Sequence, residues 1–298
     1  MNGVLLIDKP PGPTSFDVVR AVRRAAGQRK VGHAGTLDPL ASGLLVVCLG
    51  QGTKLVPYLM EGYKSYSATV RLGFATDTDD ALGKPTAEAP VPELNEQDIA
   101  ATLDRFRGSI EQVPPVFSAL KSGGESLHRK ARRGEQVHPE PRTITIHELE
   151  LTGFEATEID LEIRCSKGTY IRSLARDLGR ALDTRAHLGA LRRTASSGFE
   201  IEDALPLSAL AEVAESGDLQ RRIIALEHAL PAVPSVTLTA AELPLVLNGG
   251  PVPSTDRVDS RGDAADSPVC LIDPGGQLVA IARHEDERLQ PIRVFPPD

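Results

Sequence analysis

The sequence predicts an α+β sheet protein with a small second domain. Short apolar or alternating runs typical of strands are mixed with amphipathic helical segments, without the regular alternation of a doubly wound fold. The composition changes after about Pro231, where short strand-like runs dominate. Because 298 residues suffice for one large domain and a small one, we expect domains at 1–234 and 235–298.

The N-terminal part is predicted to hold strands around one helix. Thr14 or Ser15 can cap this helix, which should end near Gly27, and residues 31–43 are rich in loop-forming types. The predicted strands are Gly3–Asp8, Leu44–Leu49 and Tyr66–Leu72.

The middle of the chain is predicted to begin with a long surface loop at 75–97, which is polar and contains three prolines. A helix should follow from Asn95 to Gly108. Further elements are a strand pair, Arg142–Leu151 with Ile159–Cys165, and a helix, Thr169–Leu182. In the second domain we predict small strands at Val269–Asp273, Gln277–Arg283 and Ile292–Phe295, after an exposed loop at 254–267.

Charge is distributed unevenly in a chain whose net charge is −8. Residues 1–37 carry six basic and two acidic side chains, and residues 121–142 carry six basic and three acidic ones. These clusters indicate either a basic face for a nucleic acid or ordinary solvated helix faces.

Cysteines and apolar runs bear on location. The three cysteines show no CxxC spacing, which favours free thiols in a reducing compartment. The longest apolar stretch, Gly43–Leu49, is too short to span a bilayer, and the N-terminus lacks a charged leader. We therefore expect a cytoplasmic protein without a membrane segment.

The segment from Gly32 to Gly43 is the best candidate for chemistry. It combines three glycines, a histidine at His33 and one carboxylate at Asp38, followed by a proline. A carboxylate on such a loop is suited to positioned attack. The alternative is an aspartate that only caps a turn, which is a common use of this residue type.

Several segments, in order, resemble TruB-type pseudouridine synthases. The segment 32–43 matches their pattern G-H-x-G-T/A-L-D-P-x-A-S/T-G at every fixed position. The other matching segments are D-K-P-P-G-P-T-S at 8–15, K-S-Y at 64–66, R-L-G at 71–73, Q-V-P-P-V-F-S-A-L-K at 112–121, C-S-K-G-T-Y-I-R at 165–172 and L-R-R at 191–193. An ordered series of motifs is far more specific than any one of them.

The resemblance implies residue roles. Asp38 is similar to the catalytic aspartate of the family and Arg172 to the arginine that pairs with it. Tyr66 matches the tyrosine that stacks on the target base, while Tyr170 and Leu191 match residues of the uridine pocket. The alternative is that the tyrosines are core aromatics and Arg172 a surface residue. For RNA contacts we expect His33, which matches the histidine that enters the T-loop, and the basic residues Lys121, Arg132, Arg192 and Arg193.

The resemblance also implies a fold and an activity. The fold would have a largely antiparallel central sheet flanked by helices, with a small PUA-like RNA-binding domain at the C-terminus. The activity would be isomerisation of uridine to pseudouridine at position 55 of the tRNA T-loop, with base flipping and without a metal or cofactor.

Two alternatives stay open at this point: a non-catalytic tRNA-binding or folding protein, and a guide-RNA-dependent synthase. We expect a monomer that acts on the tRNA T-stem-loop, with no obligate protein partner.

Overall fold

The computed structural model describes residues 1–118, 120–122, 125–126, 133, 135, 137, 139–254 and 267–296. Within these ranges the fold is α+β, as the sequence predicts, with a mixed central sheet and a β-rich C-terminal domain. None of the helices in these ranges combines the length and the hydrophobicity that a bilayer span needs.

Nineteen strands are found in the described ranges. In chain order they are β1 Gly3–Lys9, β2 Val31–His33, β3 Ser42–Leu49, β4 Lys64–Leu72, β5 Phe74–Thr76, β6 Pro85–Glu88, β7 Gly108–Gln112, β8 Lys121–Ser122, β9 Glu125–Ser126, β10 Arg142–Glu155, β11 Glu158–Cys165, β12 Ala186–Ser196, β13 Phe199–Glu200, β14 Leu205–Pro206, β15 Ser235–Thr237, β16 Val252–Pro253, β17 Val269–Ile272, β18 Leu278–Glu285 and β19 Arg288–Val294. The α-helices described are α1 Ser15–Ala25, α2 Val56–Leu59, α3 Glu96–Leu103, α4 Ile171–Ala181, α5 Leu210–Glu215 and α6 Leu243–Leu247.

The central sheet runs in the order β14-β1-β3-β12-β4-β11-β10-β7, with β2 on β3 and β13 on β12. Of these pairs, β1–β14 and β3–β12 are parallel and the others antiparallel. Strand β12 therefore joins the N-terminal half of the sheet to the half built from β4, β11 and β10.

Helix α1 shows why its sequence folds locally. Thr14 and Asp17 form a reciprocal capping box, which satisfies main-chain N–H groups that the first turn leaves without partners. Val18, Val19 and Val22 lie on one face and are buried against the sheet, with α3 and α4 in the same apolar core.

The opposite face of the sheet is covered by the C-terminal domain. Its five strands run in the order β15-β17-β18-β19-β16. Apolar side chains of β1 and β3 share one core cluster with residues of this domain, including Cys270, Ile281 and Phe295. The two parts of the chain are therefore packed on a common core.

Three sequence predictions need correction. Residues 31–43 are not all loop, because Val31–His33 pairs with β3 and Ser42 begins β3. The segment 75–97 is not only a surface loop, because it contains the β5–β6 hairpin and is hydrogen-bonded to β12. Strand β12 was missed, although its LRR motif was recognised. The predicted loop at 254–267 lies almost entirely outside the described residues.

Candidate active site around Asp38

The loop between β2 and β3 carries Asp38 and is fixed to helix α1. The Ser15 hydroxyl accepts a hydrogen bond from the Leu37 N–H at 2.8 Å and donates one to the Leu37 carbonyl at 3.0 Å. The Gly12 N–H also donates to the Pro39 carbonyl at 2.8 Å. Both neighbours of Asp38 are therefore held, while its side chain stays 42% exposed.

Arg172 meets Asp38 across the cleft. It lies in the first turn of α4, and its Nε is 2.9 Å from Oδ2 of Asp38. Its terminal nitrogens donate to the Thr78 carbonyl at 2.9 Å and the Phe117 carbonyl at 3.0 Å. The structure thus brings together the two residues that the resemblance paired, and the buried guanidinium is fixed in its plane.

A second carboxylate, Asp80, lies against the same guanidinium and was missed by the sequence reasoning. Its Oδ2 is 3.8 Å from Arg172 Nε, and its Oδ1 accepts from the Thr78 hydroxyl at 2.7 Å and the Leu82 N–H at 3.0 Å. The signal that could have found it is the run of acidic and hydroxyl residues at 76–80, which recurs nowhere else near a predicted helix start.

Tyr66 lies on β4, directly opposite Arg193 of β12. The tyrosine is buried, and burial raises the pKa of its phenol, while the Arg193 guanidinium opposes that shift. The phenol therefore stays neutral at physiological pH and provides a rigid aromatic wall.

Tyr170 and Leu191 are both partly buried. Tyr170 precedes α4, where the Gln112 side chain binds its main chain twice, accepting from the N–H at 2.8 Å and donating to the carbonyl at 3.1 Å. Burial raises the pKa of the Tyr170 phenol, and Ser118 and Arg172 oppose the shift. Leu191 is on β12, packed against the main core.

Arg193 contradicts the prediction of a phosphate contact. Its side chain is 1% exposed, and its guanidinium donates to the carbonyls of Leu44, Gly35 and Thr36 at 2.7, 3.2 and 3.5 Å. A phosphate cannot reach a group enclosed in this way. Arg193 instead ties the Asp38 loop to the middle of the sheet.

The other predicted RNA contacts have different surroundings. Arg192 is half-exposed and forms a two-bond pair with Asp8, at 3.1 and 2.8 Å. His33 is partly buried in β2, and burial and Arg193 lower its pKa, so that its ring is neutral near pH 7. Lys121 begins β8, but its side chain lies outside the described residues, as does all of Arg132.

Two more buried cations lie near the loop. Lys9 donates to the carbonyls of Pro10 and Pro13, each at 2.9 Å, and Lys64 to those of Met60 and Gly62 at 3.2 and 2.8 Å. Burial lowers the pKa of both amines, Arg193 adds to the shift, and the Asp38 carboxylate opposes it for Lys9. A concentration of positive charge therefore lies beside the candidate nucleophile.

The arrangement provides one accessible carboxylate, a fixed guanidinium and aromatic and aliphatic walls. Such a site can hold a planar base and direct a carboxylate at it. No group of three or more His, Cys, Asp or Glu side chains in the described ranges is placed to hold a metal ion.

Comparisons with known proteins agree with this geometry. The model of the TruB family pseudouridylate synthase N-terminal domain matches residues 23–171, and that of the tRNA pseudouridylate synthase B C-terminal domain matches residues 172–231. A tRNA pseudouridine synthase B of Chromohalobacter salexigens is 40% identical over 99% of this chain and 94% of that protein. The protein of the same name from Thermobifida fusca is 41% identical over 99% and 98%.

Solved structures with the same fold include the crystal structure of a Cbf5-Nop10-Gar1 complex. Its matching chain superposes with a TM-score of 0.79 at 27% identity, over 99% of this chain and 85% of that one. A structure of an H/ACA RNP bound to a substrate RNA containing 2'-deoxyuridine gives a TM-score of 0.77 at 25% identity, over 99% and 85%. On these matches, the chain belongs to the TruB family of pseudouridylate synthases.

Proposed function

We propose that this chain converts a uridine of tRNA, at position 55 in the T-loop, to pseudouridine, with Asp38 as the catalytic carboxylate. The observation that carries the proposal is the contact of Arg172 Nε with Asp38 Oδ2 at 2.9 Å. It pairs the one accessible acid of the loop with a buried base. The names of the relatives, tRNA pseudouridine synthase B, support the substrate class.

The proposed chemistry is an isomerisation. The N1–C1′ bond breaks, the uracil turns, and a C5–C1′ bond forms, so atoms and electrons balance without a co-reactant. The target nucleotide must leave its stack to reach Asp38. Tyr66, Tyr170 and Leu191 supply the walls of the pocket, and His33 enters the T-loop beside it. Arg172 keeps the carboxylate ionised and oriented.

We also propose a stand-alone enzyme in the cytoplasm, without an obligate protein partner. Identity of 40% over nearly the whole of a tRNA-modifying relative, against 27% to the Cbf5 chain, supports this over a guide-RNA-dependent synthase. The C-terminal domain at 235–298 is proposed to bind RNA as a PUA-like module, and Lys121, Arg132 and Arg192 to contact phosphates.

The test is Asp38→Asn with a T-stem-loop RNA. Asparagine keeps the shape of the side chain and serves as well in a turn, but it lacks the charge and the nucleophilic oxygen pair. We expect no pseudouridine after prolonged incubation, with tRNA affinity and melting temperature close to those of the wild type. Asp160→Asn, on the exposed side of β11 and hydrogen-bonded to Thr69 at 2.6 Å, is the matched control. Substantial product from Asp38→Asn would refute the mechanism, and it would favour a turn role for Asp38.

A further inference from the structure

Phe16, in the first turn of α1, is an aromatic side chain that the fold leaves in solvent. All seven phenylalanines of the chain lie in the described ranges, and Phe16 is the one classed as exposed, at 56%. Exposing a large aromatic surface is unfavourable in water, so its position on an otherwise polar helix face suggests a ligand.

Cations surround the Phe16 ring. The guanidinium of Arg20 lies 5.8 Å from the ring centroid and that of Arg23 lies 5.7 Å from it, one and two helical turns along the same face. Arg24 is exposed beside them. The nearby Asp17 carboxylate is already engaged, because it accepts from the Thr14 N–H and hydroxyl and pairs with Arg20.

The position of Phe16 relates it to the active site. Its neighbour Ser15 holds both the N–H and the carbonyl of Leu37, the residue before Asp38. An RNA whose target nucleotide lies at Asp38 must therefore pass close to the start of α1. The basic excess of residues 1–37 makes this surface attractive to a phosphate backbone.

We propose that Phe16 is a stacking platform for an unpaired base of the RNA substrate, with the Arg20 guanidinium beside it contacting the backbone. The inference rests on the proposed function only in that the substrate is RNA. Bases stack on aromatic faces whatever their sequence, and arginines beside the ring strengthen the contact. A role confined to the helix, or a protein partner, is the competing explanation.

Because the chain contains no tryptophan, Phe16→Trp creates a single reporter at this site. It is made together with Asp38→Asn, so that binding is observed without turnover. We expect an unmodified tRNA transcript to quench the fluorescence of Trp at position 16, with saturation at the concentration that a gel shift reports. The control reporter is Met60→Trp, at an exposed position after α2 on the opposite face of the sheet, which should not be quenched.

Unchanged fluorescence at position 16 in a complex that the gel shift shows to be saturated would overturn the platform while leaving the proposed function intact. Failure of the transcript to bind at all would refute both. Product from Asp38→Asn concerns only the mechanism.

A second measurement separates stacking from bulk in the otherwise wild-type protein. Phe16→Leu keeps an apolar side chain of good helix propensity without a π face, and Phe16→Tyr keeps the ring. We expect Phe16→Leu to raise KM for tRNA on the order of tenfold with kcat unchanged, and Phe16→Tyr to resemble the wild type. Equal KM values for the leucine variant and the wild type would exclude stacking.

Arg20→Ala should lower the slope of log affinity against log salt by about 0.7–0.9, as expected for the loss of one phosphate contact. Its matched control is Arg221→Ala, which breaks an exposed i,i+3 pair with Asp218 elsewhere. Equal slopes for the two variants would remove Arg20 from the platform.

Discussion

The Nε atom of Arg172 lies 2.9 Å from Oδ2 of Asp38 and 3.8 Å from Oδ2 of Asp80. One guanidinium thus lies between an accessible carboxylate and a buried one. The accessible acid is free to meet a substrate, whereas the buried acid is fixed by its own hydrogen bonds. This arrangement lets the protein position Asp38 through the arginine.

Replacing Arg172 by lysine should slow the chemistry much more than binding. A lysine offers a point charge and cannot hold Asp38 together with the carbonyls of Thr78 and Phe117 in one plane. We expect single-turnover rates to fall on the order of 10²-fold, the cost of a small misplacement of a reacting group, with tRNA affinity nearly unchanged. Arg180→Lys, at an exposed position on the same helix, is the control. A wild-type rate in Arg172→Lys would show that the arginine geometry is unimportant.

Asp80→Asn tests the buried carboxylate. The amide oxygen can still accept from Thr78 and Leu82, but the charge facing Arg172 is lost, which leaves the guanidinium less firmly held. We expect turnover to fall roughly tenfold and the free energy of unfolding by about 1–3 kcal/mol, as for a buried charge that loses its partner. Thermal melts and single-turnover assays measure both, beside Asp160→Asn as control. A stable variant with full turnover would contradict this role.

Gly43→Ala should damage the loop that carries Asp38. Gly43 has a φ of +99°, and an added Cβ would lie 2.3 Å from the Arg193 carbonyl oxygen. Gly108 has a φ of +80° with open space around it, so Gly108→Ala isolates the cost of the backbone conformation alone. We expect about 1 kcal/mol of destabilisation for Gly108→Ala and clearly more for Gly43→Ala, measured by denaturant unfolding. Equal losses in the two variants would show that the close approach to Arg193 is relieved without cost.

Lys64 should give stability a characteristic dependence on pH. Burial lowers its pKa from 10.5 to about 8, so the folded state disfavours the charged amine below pH 8. The unfolded state then binds more protons between about pH 8 and 10.5, and this group makes folding more favourable as pH rises through that window. The full effect is up to about 3 kcal/mol, at 1.36 kcal/mol per pKa unit.

The comparison that isolates this effect is wild type against Lys64→Met. The buried thiols of Cys48, Cys165 and Cys270 have raised pKa values and act in the opposite direction above pH 9, but they are present in both proteins. We expect the free energy of unfolding of the wild type, minus that of the variant, to increase from pH 8 to 10.5. A difference that stays constant over this range would mean that Lys64 has an ordinary pKa.

The sequence predicted the Asp38 loop, the pairing with Arg172 and most strands, because those features depend on local patterns or ordered motifs. It did not predict Asp80, since a carboxylate in a polar, proline-containing segment is normally solvated. Only the hydrogen bonds between this segment and β12 bury it, and those bonds join residues about a hundred positions apart.

Arg193 and β12 show the same limit. A strand that contains a glycine and two consecutive arginines lacks the continuous apolar run expected of a central strand. An arginine next to another arginine also suggests a surface. The tertiary fold instead supplies three main-chain carbonyls for the guanidinium of Arg193, which compensate for its burial.

The C-terminal sheet packs on the back of β1 and β3, and β3 also supplies the Leu44 carbonyl that holds Arg193. Removing residues 235–298 would therefore open an apolar face directly behind the catalytic loop. We expect the whole chain to unfold in one cooperative transition, so that amide hydrogen exchange slows in β3 when RNA engages only the small domain. RNA captured at the periphery would then raise the energetic cost of local opening around Asp38, although it makes no contact there.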